Sequence, residues 1–307
     1  MPASPMSVGL APTPDQTIVD IQAIQLADYS PYRFRAEVDW IELRIDTAAP
    51  TNFQTVRRRL DVEYVTPVGE SNGGACTAFS VKFQAPRSWS DINQRLKELT
   101  VDHPLARPVK VIGIEVALDA YSQAHIRDDL VDMTVRFYRS ASKLSSPNRR
   151  ASKSKGRSHG LETVSQLRAL IADGFNIYIG ETDDQERQHI YLKETDSSAA
   201  LPTALHRART EFTLRGVKVP VHEFSAWREL NFTAFAPYFK FRCLKDNLPA
   251  VMAMALHSAA QIGERRPRKA AKGYCRKFSP NTQADAKLNA LAFDALRELT
   301  RRWRSIL

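Results

Sequence analysis

Apolar and polar positions alternate along several short stretches of the chain, and this two-residue period predicts strands. Val38–Asp46 (VDWIELRID) is rich in β-branched and aromatic residues. Val62–Thr66 and Thr77–Gln84 flank the turn-forming run Glu70–Gly74, which suggests a hairpin or a longer excursion. Val109–Tyr121 (VKVIGIEVALDAY) reads as a buried strand, Val131–Tyr138 as another, and Arg209–Arg215 as the last of this unit. Asn176–Gly180 and Gln188–Glu194 flank the polar turn ETDDQER. A helical period appears between them. Phe53, Val56 and Leu60 follow Thr51 as a cap, and Ile92, Leu96 and Leu99 follow Ser90. Leu161, Val164, Leu167 and Leu170 recur within 160–172. Beyond Pro220 the pattern turns helical, over Ala250–Ile262 and then Asn281–Trp303. The expectation is an α+β unit over residues 36–220, an antiparallel sheet with helices packed on one face. A smaller helical region, 221–307, follows it. Residues 1–35 precede it as an arm, Pro/Ser-rich through Asp15 and expected to be disordered in part.

Strand alternation also assigns faces. In VIGIEVALDAY, Ile114, Val116 and Leu118 share one face, and Glu115, Ala117 and Asp119 the other. Phe212 and Leu214 oppose Arg209, Glu211 and Thr213; Ile190 and Leu192 oppose His189, Tyr191 and Lys193; Ile177 and Ile179 oppose Tyr178. If these four strands share a sheet, their polar faces combine. Glu115, Asp119 and Glu211 would then supply oxygen ligands for Mg²⁺ or Mn²⁺. Tyr191 or Tyr178 would stand as a nucleophile, with Lys193 and Arg209 steadying a phosphate. Half-exposed strands alternate in this way without any catalysis, so the pattern alone leaves an ordinary surface as an alternative.

Charge narrows the choice. The 307 residues carry a formal net charge of +10. Arg139–Arg157 holds seven basic residues and no acidic one; Glu264–Lys277 holds seven basic and one acidic. The rest of the chain is slightly acidic, with 30 basic against 33 acidic residues. Excess charge confined to two segments suits contact with phosphates. Arg149, Arg150, Lys153, Lys155 and Arg157 in the first segment, and Arg265, Arg266, Arg268 and Lys269 in the second, are the candidate DNA contacts. Arg209 joins them from the strand face. Flexible basic linkers without a partner are the alternative. No apolar run reaches the roughly 18 residues that span a bilayer. The start of the chain lacks the pattern of a secretory signal. Cys76, Cys243 and Cys275 show no metal-ligand spacing and fit free thiols in a reducing cytoplasm.

Four segments together resemble the replication initiation factor family, the rolling-circle initiators of filamentous phages and many small plasmids. VDWIELRID resembles the family's hydrophobic-Asp-Trp strand. VIGIEVALDAY resembles its Arg-hydrophobic-Asp-hydrophobic-Ala-hydrophobic-Asp strand. FNIYIGETDDQERQHIYLKETD resembles its paired Tyr-hydrophobic-Gly and Tyr-x-Lys strands, and RARTEFTLRG its Arg-x-Glu-x-x-Leu strand. They occur in the family's order over residues 38–216. The resemblance implies a relaxase-like nickase: a tyrosine attacks one strand of origin DNA, stays joined to the 5′ phosphate and frees a 3′ hydroxyl for a polymerase. It implies a metal role for Glu115, Asp119 and Glu211, with Tyr191 ahead of Tyr178 as nucleophile because Lys193 shares its face. The helical C-terminal region would read the origin or contact a host helicase. There are departures. Gly113 stands where the family has Arg, Glu115 where it has Asp, and the acidic turn ETDDQER replaces a basic one. No His-hydrophobic-His pair is present, which sets the chain apart from histidine-metal initiators.

Two other readings remain. A DNA-binding protein without catalysis accounts for the basic segments and C-terminal helices. A metal-dependent nuclease using water would need the same carboxylates and form no covalent adduct. Of the scattered histidines only His189 lies on the candidate face, and Trp303 reads as a packing residue.

Overall fold

The computed structural model of the chain describes residues 28–69, 73–140, 149–153, 163–196, 198–260, 262 and 280–305. Most of the expected arm, Lys155, Arg157, Arg265, Arg266, Arg268, Lys269 and Cys275 lie outside these residues. In chain order the strands are β1 (Tyr32–Asn52), β2 (Tyr64–Pro67), β3 (Ala75–Gln84), β4 (Lys110–Ser122), β5 (Arg149–Ser152), β6 (Asn176–Ile179) and β7 (Glu186–Lys193). Two short ones follow, β8 (Thr195–Asp196) and β9 (Ala199–Ala200), then β10 (Arg207–Arg215), β11 (Arg242–Leu244) and β12 (Thr282–Ala284). The helices are α1 (Phe53–Leu60), α2 (Trp89–Asp102), α3 (Arg127–Ser140), α4 (Val164–Ala172), α5 (Ala250–Ser258) and α6 (Ala286–Arg304).

Eight strands form one sheet in the order β2-β3-β1-β4-β10-β7-β6-β5, and every pairing is antiparallel. The four strands whose polar faces matter, β4, β10, β7 and β6, are therefore consecutive neighbours. Their apolar faces, with Ile114, Val116, Leu118, Phe212, Leu214, Ile190 and Ile177, join the helices in one hydrophobic core. Burial of that face drives sheet and helices together.

Helix α1 is capped by Asn52, whose side chain accepts from the Gln54 amide, and α2 by Ser88, one or two residues from the expected caps. The stretch Val131–Tyr138 is helix rather than strand. Its alternating Val131, Met133, Val135 and Phe137 imitate a strand, but these side chains are buried in the core while Asp128, Asp132, Arg136 and Arg139 form a polar stripe at helical spacing. Asp128 and Asp129 in its first turn and Arg139 in its last favour the helix dipole.

The expected boundary near residue 220 does not divide the core. Leu288, Leu296, Leu299 and Trp303 of α6 belong to the same cluster as Ala36 and Val38 of β1. The Trp303 indole, 1% exposed, donates to the Trp227 carbonyl at 2.9 Å, a packing role. Asp285 ties α6 down. It caps the helix through the Leu288 amide and accepts from Tyr29 at 2.6 Å and Arg136 at 2.8 Å. No helix among the described residues is long and apolar enough to cross a membrane.

Candidate active site

The polar face of the sheet carries the candidate chemistry, and a β-bulge completes it. In β1, Ala36 and Val38 point into the core, yet so do Ile41, Leu43 and Ile45, so the alternation changes phase between 38 and 41. The register against β4 slips there, between Val38 and Trp40. A bulge of this kind adds a residue and re-aims side chains. It turns Asp39 and Trp40 toward the polar face together. Carboxylate oxygens of Asp39, Glu115 and Glu211 lie within 4.8 Å of one another. Three oxygen donors at that spacing fit a hard divalent cation such as Mg²⁺ or Mn²⁺.

Glu115 and Glu211 were expected here; Asp39 was not singled out. Asp119 stands outside the cluster. Its carboxylate is fully buried and forked by Arg209, Nε to Oδ1 at 2.5 Å and Nη2 to Oδ2 at 2.7 Å, with Arg207 Nε at 3.2 Å. Arg209 is likewise 1% exposed and also bonds Asp39 at 2.7 Å, Glu37 at 3.1 Å and Glu211 at 3.2 Å. It therefore acts as the cation at the centre of an acidic ring. A guanidinium so engaged orients carboxylates and has no free edge for DNA.

Crowded carboxylates cannot all ionise in the same way. Burial, then the charge of Glu211, pushes the Glu115 carboxyl up to about 8, against hydrogen bonds from Thr213 and Trp40. Burial also works against ionised Glu211, but His189, Arg209 and Tyr191 outweigh it and hold that carboxyl well below the usual range. Asp39 is raised by burial and by Glu211, with Arg209 opposing. Without a metal, the site keeps Glu211 ionised and a proton on Glu115.

The Tyr191 hydroxyl donates to Glu211 Oε1 at 2.7 Å, while His189 Nδ1 lies 3.0 Å from Oε2. Burial, then the charge of Glu211, raises the Tyr191 phenol far above its usual value. Tyr178 is not beside Tyr191. The register pairs Tyr178 with His189, and the imidazole lies between the two phenols, 4.5 Å from one ring and 4.2 Å from the other, nearly parallel to both. Among the described residues the Tyr178 hydroxyl has no hydrogen bond, and its ring carries Arg187 at 4.6 Å and Arg150 at 5.5 Å. Lys193 pairs with Asp196 at 3.2 Å.

Of the described part of the basic insert, Arg150 lies on this face over Tyr178, whereas Arg149 lies on the helix side, over Tyr138 of α3 at 5.8 Å. Arg150 bonds Glu181 at 2.6 Å, and Lys153 bonds Asp173 at 2.7 Å. Gly113 also finds its reason. A Cβ there would meet Glu42 Oε2 and Trp40 Cζ3 at 3.1 Å, so the indole fills the place a side chain would take.

No family model matches the chain, and no curated protein matches it. Among solved structures the chain is similar to a rolling circle replication initiator protein from Geobacillus stearothermophilus, with 13% identity and a TM-score of 0.36, over 87% of this chain and 97% of that one.

Proposed function

We propose that this chain is a DNA-nicking replication initiator of the rolling-circle type, with Tyr191 as its nucleophile. One observation carries the reading: the Tyr191 hydroxyl donates to Glu211, a carboxylate that also belongs to the three-carboxylate cluster. Nucleophile and metal ligands thus share one sheet face, beside cations of both strand and insert. The order of the four family-like segments supports the same reading.

Asp39, Glu115 and Glu211 would hold the divalent ion, which would withdraw charge from the scissile phosphate. Glu211, kept ionised by its neighbours, is placed to accept the Tyr191 proton. The phenolic oxygen bonds to phosphorus as the P–O3′ bond breaks. The product is a 5′-phosphotyrosyl link and a strand ending in a free 3′ hydroxyl, which a polymerase can extend. His189 sits between the phenols and supports Glu211 from its second oxygen. Asp119 and Arg209 position the cluster; neither is assigned a contact with metal or phosphate.

A denaturing gel tests this with supercoiled DNA of the element that encodes the chain, Mn²⁺ and full-length protein. Wild type gives a protein-linked DNA band, lost in Tyr191→Phe and in Glu115→Ala. Cleavage without an adduct would indicate a hydrolytic nuclease that uses the same carboxylates and water. Binding without cleavage would leave a DNA-binding protein.

A further inference from the structure

The arginines of the polar sheet face divide into two sets. Arg209 and Arg207 are committed to Asp119, and Arg35 pairs with Glu37 at 3.0 Å. Arg187 and Arg215 are different. Among the described residues neither guanidinium has an ion pair or a hydrogen bond. The Nε of each is buried without a hydrogen-bond partner, as is that of Arg207, which has the charge of Asp119 beside it. Both instead lie over aromatic rings, Arg187 over Tyr178 at 4.6 Å and Arg215 over Trp40 at 5.6 Å. Lys82 lies over the same indole at 4.1 Å and likewise has no carboxylate within ion-pair reach among the described residues.

These three cations sit along one side of the carboxylate cluster. Arg187 pairs across the sheet with Thr213, which pairs with Glu115, which pairs with Trp40. One step along, Arg215 pairs with Gly113, then Glu42, then Lys82, then Tyr64. Glu42 accepts a hydrogen bond from Ser80 rather than pairing with either cation. Partly buried guanidiniums without an anion are costly, and an orphaned Nε calls for a partner. The rings of Tyr178 and Trp40 attract these cations, which keeps them beside the cluster without a carboxylate partner and leaves their donors for an oxyanion. Tyr64, 54% exposed at the end of the row, offers a ring to an unstacked base.

We propose that Arg187 and Arg215, with Lys82 beyond them, form a phosphate-binding row that holds the backbone of a single DNA strand alongside the carboxylate cluster. A polyanion cannot rest on a face of carboxylates unless un-neutralised cations flank it, and these three supply that charge. The inference rests on the reading of the chain as a DNA-nicking protein. It assigns the strand's path to sheet residues rather than to the basic insert.

The test is fluorescence anisotropy of a labelled, mixed-sequence single-stranded oligonucleotide with the full chain, without metal, at several salt concentrations. R187Q/R215Q is compared with R57Q/R58Q, which removes the same charge from exposed positions on α1, against the opposite face of the sheet. The expected result is about a tenfold or greater loss of affinity for R187Q/R215Q, and a salt slope shallower by about 1.4, the value for two lost single-strand phosphate contacts. R57Q/R58Q keeps the wild-type slope. R187K/R215K, which retains both charges, also keeps it, and this separates lost phosphate contacts from damage to the sheet. A wild-type slope in R187Q/R215Q, or an equal change in R57Q/R58Q, overturns the row while wild-type binding leaves the nickase reading standing. No binding by wild type overturns both.

Discussion

Arg209 and Asp119 meet as a two-pronged ion pair at 2.5 and 2.7 Å, with neither side chain open to solvent. The pair lies between β10 and β4, directly across the sheet, and Arg209 spreads from it to three further carboxylates. Removing Asp119 takes both bonds from one edge of Arg209, which keeps Glu37, Asp39 and Glu211, and leaves Arg207 without its carboxylate. Removing the guanidinium leaves Asp119 buried with Arg207 alone. Asp119→Ala is expected to destabilise the chain by about 3–5 kcal/mol in denaturant unfolding, and Arg209→Lys, which cannot fork, also loses stability. An unchanged midpoint in Asp119→Ala would show that the pair is not what holds the ring.

Asp285 does for the C-terminal helix what Asp119 does for the sheet. Asp285→Ala removes the α6 cap and leaves Tyr29 and Arg136 without their carboxylate. The expected cost is about 3–5 kcal/mol for the broken buried pair, with about 1 kcal/mol more for the cap. Asp285→Asn keeps the capping oxygen and falls between Asp285→Ala and wild type. Hydrogen exchange over 286–304 checks where the loss appears.

The protonation of Glu115 gives the metal-free protein a pH signature. Its folded pKa, about 8, lies above its ordinary value. A raised pKa stabilises the fold fully below the unfolded value, and this contribution is lost as pH rises through the folded one. Metal-free stability should therefore decline between about pH 4.5 and 8, and Glu115→Gln should flatten that decline. Thermal melts in chelator across this range would count against the assignment if both proteins gave the same profile.

Asp39 should behave as a ligand rather than a surface acid. Asp39→Asn is expected to weaken Mn²⁺ binding about tenfold or more in a calorimetric titration, while Glu37→Gln, outside the cluster, changes it little. Equal effects from the two would remove Asp39 from the metal set.

Much of this site was legible in the sequence. The alternation of VIGIEVALDAY, RARTEFTLRG and QHIYLKE placed Glu115, Glu211, Tyr191 and His189 on one face because a strand's two-residue period is rigid. What failed did so for definite reasons. Strict alternation puts Asp39 beside Glu37 but not with Trp40, and only the change of phase from Val38 to Ile41 betrays the bulge. Asp119 lies on the expected face, yet no strand pattern says which carboxylate an arginine will claim. Arg187 and Arg215 carry no signal in the sequence, because an orphaned guanidinium is visible only once its neighbours are placed. Val131–Tyr138 reads as a strand because Val131, Met133, Val135 and Phe137 alternate within it, while the helical stripe of Asp128, Asp132, Arg136 and Arg139 shows only over the longer stretch.

The most direct measurement tests the proposed covalent link between Tyr191 and DNA. Trypsin cuts after Arg168, Arg187 and Lys193, so Tyr178 leaves in the peptide 169–187 and Tyr191 in 188–193. Protein incubated with the element's DNA and Mn²⁺ is digested with nuclease and trypsin, and its peptides are read by mass spectrometry. The expected result is a nucleotide on the 188–193 peptide, absent when Tyr191 is Phe. A nucleotide on 169–187 would make Tyr178 the nucleophile, and cleaved DNA with no nucleotide on any peptide would contradict covalent catalysis altogether.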